Sequence, residues 1–280
     1  MNLIAAQKTA IRAARAAGKI MRDNWYAPKK INHAEAHDLK LELDVRCQAL
    51  IEKTLARAFP QIPVLGEEGD TGDVNAEYRW VIDPIDGTVN YASGLPHAGV
   101  SIALQAKGDR WPMTSDGKKT RGAQTPVTRH ASHATVCAVI FDPFTDELWT
   151  TLRGQPTRLN GKIVRVSQCA RIEDAVVAMG FSKSQENLER CLPYLVAISR
   201  RARKLRILGS AALELAYVAS GRLDAYIERT LNLWDVAAGQ LLVENAGGEF
   251  YAAPAPEGKL RMCACNGLLR KKLQLGSLLK

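Results

Sequence analysis

The chain has 280 residues, enough for one large domain or two packed subdomains. Its 46% hydrophobic and 24% charged residues are typical of a globular protein, and no apolar run is long enough for a transmembrane helix. The net charge of +9 suits a polyanionic partner, but we favour an ordinary basic surface, and charge alone names no function.

The first predicted element is a helix over residues 3–24. Ile4, Ile11 and Met21 recur at helical spacing, and the basic residues fall mostly on other faces. Residues 1–22 contain no acid, which is also typical of a mitochondrial transit peptide. We favour the structural helix over the transit peptide.

Hydrophobic periodicity and chain-breaking residues predict helices and strands in mixed order, without strict βαβ repetition. The other predicted helices cover 44–58, 185–200, 210–220, 234–245 and 267–279. The predicted strands cover 62–66, 78–83, 98–105, 136–141, 147–152, 174–179, 223–228 and 260–264. This mixture favours a layered α/β or α+β architecture.

Residues 107–133 differ from the rest of the chain. They are polar, rich in Gly and Pro, and net basic, and they lie between two apolar strands. The pattern predicts a long surface hairpin or loop, either functional or merely tolerated.

Six cysteines are spread along the chain, at positions 47, 137, 169, 191, 263 and 265. They form no pair of CxxC motifs, so we do not expect a zinc site. Apolar neighbours around several of them indicate buried thiols and a reducing cytoplasm.

Two carboxylates follow a predicted buried strand in the segment RWVIDPIDGTVNY. The apolar residues 80–82 end at Asp83, Pro84 predicts a turn there, and Asp86 comes three residues after Asp83. Buried carboxylates must be paired or must coordinate a metal. Since no Lys or Arg occurs between residue 80 and Lys107, a cation is a suitable partner, and oxygen ligands suit Mg²⁺ or Mn²⁺.

The next two residues, Gly87 and Thr88, suit an anion. Glycine lets the backbone approach a ligand, and a helical turn starting there would present N–H groups to a phosphate. A plain turn capped by Asp is the alternative, because Asp-Gly is a common turn signal.

Two further acidic segments have ordinary explanations when taken singly. Glu67 and Glu68 follow an apolar strand and a glycine, as solvated turn residues also do, and Asp235 precedes small residues where a helix cap is expected. Together with Asp83 and Asp86, however, one divalent-cation site explains all of these acids. Two metals bridged by carboxylates are a common means of phosphoryl transfer to water.

These motifs resemble those of the inositol monophosphatase family, a Mg²⁺-dependent, lithium-sensitive phosphatase superfamily. GEE, WVIDPIDGTVNY and WDVAAG match in order and spacing, and the likeness continues through FDPFTDELWTTLRGQPTRLNGK, LGSAALELAYVASGRLDAYIE and AGGEF. It covers nearly the whole chain except 107–133. The resemblance implies a layered αβαβα sandwich of the inositol monophosphatase/fructose-1,6-bisphosphatase type.

The resemblance also implies a metal cluster of two or three Mg²⁺ ions, with Mn²⁺ as a possible substitute. Glu67, Asp83 and the backbone carbonyl of Ile85 would hold one ion, and Asp83, Asp86 and Asp235 a second. Glu67 would also help to hold a third, weaker ion.

Catalytic and substrate roles follow from the same resemblance. Thr88, partnered by Asp44, would position and help to deprotonate the attacking water. Glu67 would contribute to catalysis as a ligand of the metal ions. The backbone of Gly87 and Thr88 would bind the phosphate. The substrate contacts would come from Asp86, Ala211, Glu228 and Asp235.

Two residues depart from the family pattern. Leu41 stands where a threonine is usual, which puts the water-activating role of Asp44 in doubt. Glu214 stands where an aspartate is common.

We expect an N-terminal α+β subdomain over 1–170 with most metal motifs, and a C-terminal α/β subdomain over 171–280 carrying Asp235. Inositol-1-phosphate is the favoured substrate. Fructose-1,6-bisphosphate, histidinol phosphate and phosphoadenosine phosphate remain open, the first because basic residues at 200–206 could meet a second phosphate. A regulatory, RNA-associated protein on this fold is the alternative class, although nucleic-acid binding is not expected. We expect a cytoplasmic homodimer without membrane contact.

Overall fold

The computed structural model describes residues 1–34, 39–108, 133–181 and 185–273. The helices in these ranges are α1 (Leu3–Asp23), α2 (Glu42–Ala58), α3 (Thr88–Ala92), α4 (Gln185–Arg201), α5 (Ala211–Ala219) and α6 (Leu233–Asn245). The strands are β1 (Ile31–Ala34), β2 (Leu39–Leu41), β3 (Val64–Gly66), β4 (Tyr78–Asp86), β5 (Gly99–Lys107), β6 (His133–Asp142), β7 (Glu147–Leu152), β8 (Arg158–Leu159), β9 (Lys162–Ile163), β10 (Val176–Met179), β11 (Lys204–Arg206), β12 (Ala225–Leu231), β13 (Glu249–Pro254) and β14 (Leu260–Cys265).

Two large sheets organise the chain. The first has seven strands in the order β3-β4-β5-β6-β7-β8-β9, antiparallel except for the parallel β3–β4 pair. The second has five strands in the order β11-β10-β12-β14-β13, parallel on the β11–β10–β12 side and antiparallel beyond it. A small antiparallel pair, β1–β2, precedes α2.

The helices and sheets stack in five layers. Helices α1 and α2 cover one face of the seven-stranded sheet, α5 and α6 lie between the two sheets, and α4 covers the outer face of the five-stranded sheet. Three hydrophobic cores fill the spaces between successive layers, because each helix and sheet face must bury its apolar side. The predicted αβαβα sandwich is confirmed.

The middle layer explains the composition of α6. A helix between two sheets needs an apolar surface on all sides, and residues 236–239 are the small, buried run Val-Ala-Ala-Gly. A Cβ at Gly239 would overlap the side chain of Leu215, so glycine is what lets α6 approach α5 closely. This packing fixes the start of α6, where Asp235 lies.

Strand β4 corrects the expected turn at Pro84. The strand continues to Asp86, with one extra residue between the pairs Asp83–Ser101 and Asp86–Gly99. Neighbouring β3 pairs only as far as Ile82, so the missing N–H of Pro84 removes no ladder hydrogen bond on that side. The bulge re-aims the last residues of a buried strand.

The predicted helices up to residue 245 and all the predicted strands occur, with shifted ends. The helix predicted over 267–279 is wrong for residues 267–273, which form hydrogen-bonded turns after a left-handed Gly267 at φ +81°. Its remainder, 274–279, lies outside the described residues. The short helix α3 and the strands β1, β2, β8, β9, β11 and β13 were not predicted.

The loop predicted over 107–133 lies outside the described residues except at its ends. Lys107 and His133 close it as a pair between antiparallel β5 and β6. The proposed subdomain boundary at residue 170 stays a prediction, because α5 and α6 share one core with both sheets. Within the described residues, no helix combines the length and apolar character that crossing a membrane requires.

Candidate active site

Three buried aspartates converge where the seven-stranded sheet meets the middle helix layer. Carboxylate oxygens of Asp83, Asp86 and Asp235 all lie within 4.8 Å of one another. Asp83 and Asp86 come from the bulged end of β4, and Asp235 comes from the first turn of α6. The structure therefore brings together acids that are about 150 residues apart in the chain.

Asp86 is fixed against the N-terminus of α5. Its carboxylate accepts hydrogen bonds from the backbone N–H of Ala211 (3.2 Å) and Ala212 (2.8 Å), and from the Ser210 hydroxyl. Burial raises the pKa of Asp86 to about 6, while the bond from Ser210 lowers it. These contacts orient the carboxylate in a region without bulk water.

Asp235 both stabilises the start of α6 and belongs to the aspartate cluster. One of its oxygens accepts from the backbone N–H of Asn232 at 2.6 Å, which stabilises the start of α6. Burial, followed by the charge of Asp86, raises the pKa of Asp235 well above its ordinary value.

Asp83 is the most crowded acid of the cluster. Burial raises its pKa well above the ordinary range, and the charges of Glu67, Asp86 and Asp235 raise it further. Glu67 lies directly after β3 and within hydrogen-bonding reach of the Asp83 carboxylate. The backbone N–H of Ile85 donates to Asp83 at 3.1 Å and so holds the bulge.

This donor set fits a divalent cation. The acids are buried, they repel one another, and all offer oxygen, the donor that Mg²⁺ and Mn²⁺ prefer. Burial raises the pKa of all three aspartates, and the charges of neighbouring acids raise it further for Asp83 and Asp235, so without a cation protonation is favoured.

Thr88 and Asp44 lie beside the aspartate cluster. The Thr88 hydroxyl is 3.4 Å from Asp44 and 2.9 Å from the carbonyl oxygen of Ile85. Burial raises the pKa of Asp44 to about 7, although a 2.7 Å hydrogen bond from the backbone N–H of Leu41 opposes the shift. The backbone of Leu41 thus holds Asp44, even though the Leu41 side chain is apolar.

Gly87 links the bulge to α3 in a conformation that requires glycine. Its φ is +90°, and a Cβ there would lie 2.9 Å from the carbonyl oxygen of His97 and 3.2 Å from that of Gly209. The phosphate-binding role of Gly87 and Thr88 stays a prediction.

Glu228 faces the same region from β12. Burial and the charge of Asp86 raise its pKa to about 7, and the hydroxyl of Tyr226 lowers it. Ala211 lies at the start of α5, where its N–H is taken by Asp86. Their substrate contacts also stay predictions.

The chain was next compared with known protein families. The model of the inositol monophosphatase family matches residues 4–110 and 130–269 of the chain. This protein belongs to the inositol monophosphatase family.

Relatives and solved structures agree with that assignment. The chain is 35% identical over 243 residues to the Nus factor SuhB of Escherichia coli K12, covering 85% of this chain and 82% of that protein. The extragenic suppressor protein suhB of Bartonella henselae superposes with a TM-score of 0.83 at 29% identity, covering 98% of each chain. An inositol monophosphatase from Anabaena gives 0.78 at 29% identity, covering 99% of this chain and 96% of that one.

Sequence reasoning missed Tyr226 and Gly180 near Glu228, and it named Glu214 only as a departure from the family pattern. The Tyr226 hydroxyl donates a hydrogen bond to Glu228, and Glu214 lies within hydrogen-bonding reach of the same hydroxyl. Gly180 has no side chain, and the Glu228 carboxylate fills the space beside it. The alternation of β12 would have placed Tyr226 and Glu228 on one face, but nothing in the sequence pairs them with α5 or β10.

The basic residues considered for a second phosphate are partly committed elsewhere. Arg203 binds Asp174 at 2.7 Å, and Arg201 donates to the carbonyl oxygen of Lys272 at 2.8 Å. These contacts lie on the outer side of the five-stranded sheet, with α4 and β11. They give no support to the second-phosphate interpretation.

Proposed function

We propose that this protein hydrolyses a small phosphate monoester in a Mg²⁺-dependent reaction. The observation that supports it is the convergence of Asp83, Asp86 and Asp235 beside the Thr88–Asp44 pair, in a chain of the inositol monophosphatase family. A buried acidic cluster alone would only suggest a cation. An adjacent hydroxyl–carboxylate pair adds a means of moving a proton from water.

Asp83, Asp86 and Asp235 would hold the cation, with Glu67 and the carbonyl of Ile85 as further ligands. When bound, Mg²⁺ supplies positive charge that stabilises the phosphoryl oxygens and makes water a better nucleophile. No protein nucleophile is then required.

Thr88 and Asp44 would handle the proton. The Thr88 hydroxyl has one hydrogen and two candidate acceptors, the Ile85 carbonyl and Asp44. If the carbonyl serves as a metal ligand, the hydrogen turns to Asp44, and the Thr88 oxygen can accept one from water. An Asp44 pKa of about 7 suits a group that takes a proton near neutral pH.

Inositol-1-phosphate is the substrate that we favour, since Glu228 offers a half-buried carboxylate acceptor for a sugar-like hydroxyl. Fructose-1,6-bisphosphate, histidinol phosphate and phosphoadenosine phosphate are the alternatives within the family. A homodimer stays a prediction of the resemblance, and a cytoplasmic location stays a prediction from the cysteines.

Phosphate release from these four substrates, each with Mg²⁺ and with chelator, tests the proposal. We expect turnover only with Mg²⁺ and the highest kcat/KM for inositol-1-phosphate. A different best substrate would correct the substrate, whereas a folded protein without any turnover would contradict the phosphatase proposal.

A regulatory role is the second candidate. Relatives at 35% identity carry the name Nus factor SuhB, and the chain has a net charge of +9. RNA binding that persists in chelator and weakens steeply with salt would support this role. Binding that requires Mg²⁺ or competes with inositol-1-phosphate would instead refer back to the phosphatase site.

A further inference from the structure

Tyr226 is placed to control Glu228. The two residues lie on one face of β12, two positions apart, and the Tyr226 hydroxyl donates to Oε2 of Glu228. On the neighbouring strands Tyr226 is paired with Ala178 and Ala264, whose small side chains leave room for the ring. Tyr226 is fully buried, so its hydroxyl has a fixed direction.

Glu214 approaches the same hydroxyl from α5. It is buried, it lies within hydrogen-bonding reach of Tyr226, and its Oε1 accepts from the backbone N–H of Leu208 at 3.3 Å. Burial raises the pKa of Glu214 well above its ordinary value, and the charge of Glu228 raises it further. Glu214 thus restricts the Tyr226 hydroxyl from the α5 side, while that hydroxyl donates to Glu228.

Gly180 limits the other side of the Glu228 carboxylate. It follows β10, donates its N–H to the Ile227 carbonyl at 3.0 Å, and has no positive φ. A Cβ there would overlap Oε2 of Glu228. The carboxylate is therefore confined between a phenol and a backbone, with its second oxygen as the remaining acceptor.

We propose that Tyr226, itself held by Glu214, is a positioning residue that fixes Glu228 to accept a hydrogen bond from a substrate hydroxyl, and so selects phosphate esters of polyols. This inference rests on the proposed function. Phosphate esters with an apolar leaving group would leave the second oxygen of this half-buried carboxylate without a donor, which is costly. Phosphate esters of polyols supply that donor from a hydroxyl group.

The test compares Tyr226→Phe with Tyr194→Phe on inositol-1-phosphate and on 4-nitrophenyl phosphate. Tyr194 is a matched control, because its buried hydroxyl bonds the carbonyl oxygen of Leu273 at 2.5 Å on the opposite face of the sheet. For Tyr226→Phe we expect KM for inositol-1-phosphate to rise about tenfold, with kcat and both constants for 4-nitrophenyl phosphate within about twofold of wild type. Tyr194→Phe should change neither substrate.

Gly180→Ala provides an independent perturbation from the other side of Glu228. Because it displaces the carboxylate without touching Tyr226, it should reproduce the selective rise in KM. Equal losses on both substrates would assign Tyr226 a merely structural role and overturn the proposal, as would an unchanged KM for inositol-1-phosphate.

Crystal structures of the two Tyr→Phe variants separate this inference from the proposed function. We expect the Glu228 carboxylate to leave its position in Tyr226→Phe and to keep it in Tyr194→Phe. If wild type hydrolyses neither substrate, the proposed function fails, and the position of Glu228 still decides the inference. An unmoved carboxylate in Tyr226→Phe overturns it.

Discussion

The two sheets contribute acids of different character to one site. Asp83 and Glu67, at the ends of β4 and β3, are crowded by other carboxylates, and burial and that crowding raise the pKa of Asp83. On the five-stranded sheet, Glu228 has a phenol donor, and on α5 Glu214 has a backbone donor. The mutual crowding of Asp83 and Glu67 suits metal binding, although Asp83 also accepts from the Ile85 N–H, whereas the phenol that orients Glu228 suits recognition.

The largest effect on activity should come from substituting Asp83, one of the crowded acids that would hold the cation. We expect Asp83→Asn to lower Mg²⁺-dependent kcat/KM by about a thousandfold or more, because several kcal/mol of charge stabilisation depend on the bound cation. In chelator the variant should be at least as stable as wild type, since one repelling charge is removed. Phosphate release and thermal unfolding with and without Mg²⁺ measure both effects.

Asp146→Asn is the matched control, because Asp146 is exposed and pairs with Arg15. It should leave activity unchanged. Full activity in Asp83→Asn would remove Asp83 from the metal site and with it the difference between the two groups of acids.

The proton-handling pair should give the next largest effect. We expect Thr88→Val to lower kcat by about a hundredfold, within the range of general-base catalysis, while the Mg²⁺-induced rise in Tm persists. Thr54→Val is the control, since that hydroxyl donates to the Leu50 carbonyl of its own helix. Loss of the Mg²⁺-induced rise would mean that Thr88 supports the metal site rather than the proton.

A smaller effect should mark the recognition group. We expect Glu228→Gln to raise KM for inositol-1-phosphate about tenfold, since it weakens an acceptor but keeps its shape. The Mg²⁺-induced rise in Tm should stay as in wild type, in contrast to Asp83→Asn. If the two variants lose Mg²⁺ stabilisation equally, the division between metal-binding and recognising acids is wrong.

The clustering of Asp83, Asp86 and Asp235 was easier to predict from sequence than the contacts of Glu228, for a physical reason. An apolar strand or helix that adjoins acids is a local pattern, and the two strands and one helix of this kind predicted a common partner. The bulge at Pro84 was not predictable, because it depends on where β3 stops pairing with β4. Proline alone indicated a turn.

The recognition group depends on contacts between distant elements. Glu214 and Tyr226 meet only because α5 packs on β12, and Gly180 matters only because β10 is parallel to β12. The wrong helix over 267–273 has a similar cause. Leu269 and Leu273 recur at helical spacing, yet turns suffice to bury both against the five-stranded sheet.

The smallest predicted effect concerns an acid with a raised pKa that belongs neither to the aspartate cluster nor to the residues around Glu228. Glu244 lies on α6 and accepts from Gln240 at 3.2 Å, and burial raises its pKa from 4.5 to about 8. The folded state therefore binds a proton that the unfolded state releases between about pH 4.5 and 8, so Glu244 costs stability as the pH rises through that window. Glu244→Gln should raise the Tm at pH 8 and leave it near the wild-type value at pH 4.5.

Glu189→Gln is the control for this last substitution, because Glu189 accepts from Gln185 with the same spacing on an exposed part of α4. Its Tm should follow wild type at both pH values. A Glu244→Gln variant equally stabilised at pH 4.5 and pH 8 would show that packing, rather than the proton, sets the difference. A gain confined to pH 8 would show that a raised carboxylate pKa outside the site costs stability without serving the metal.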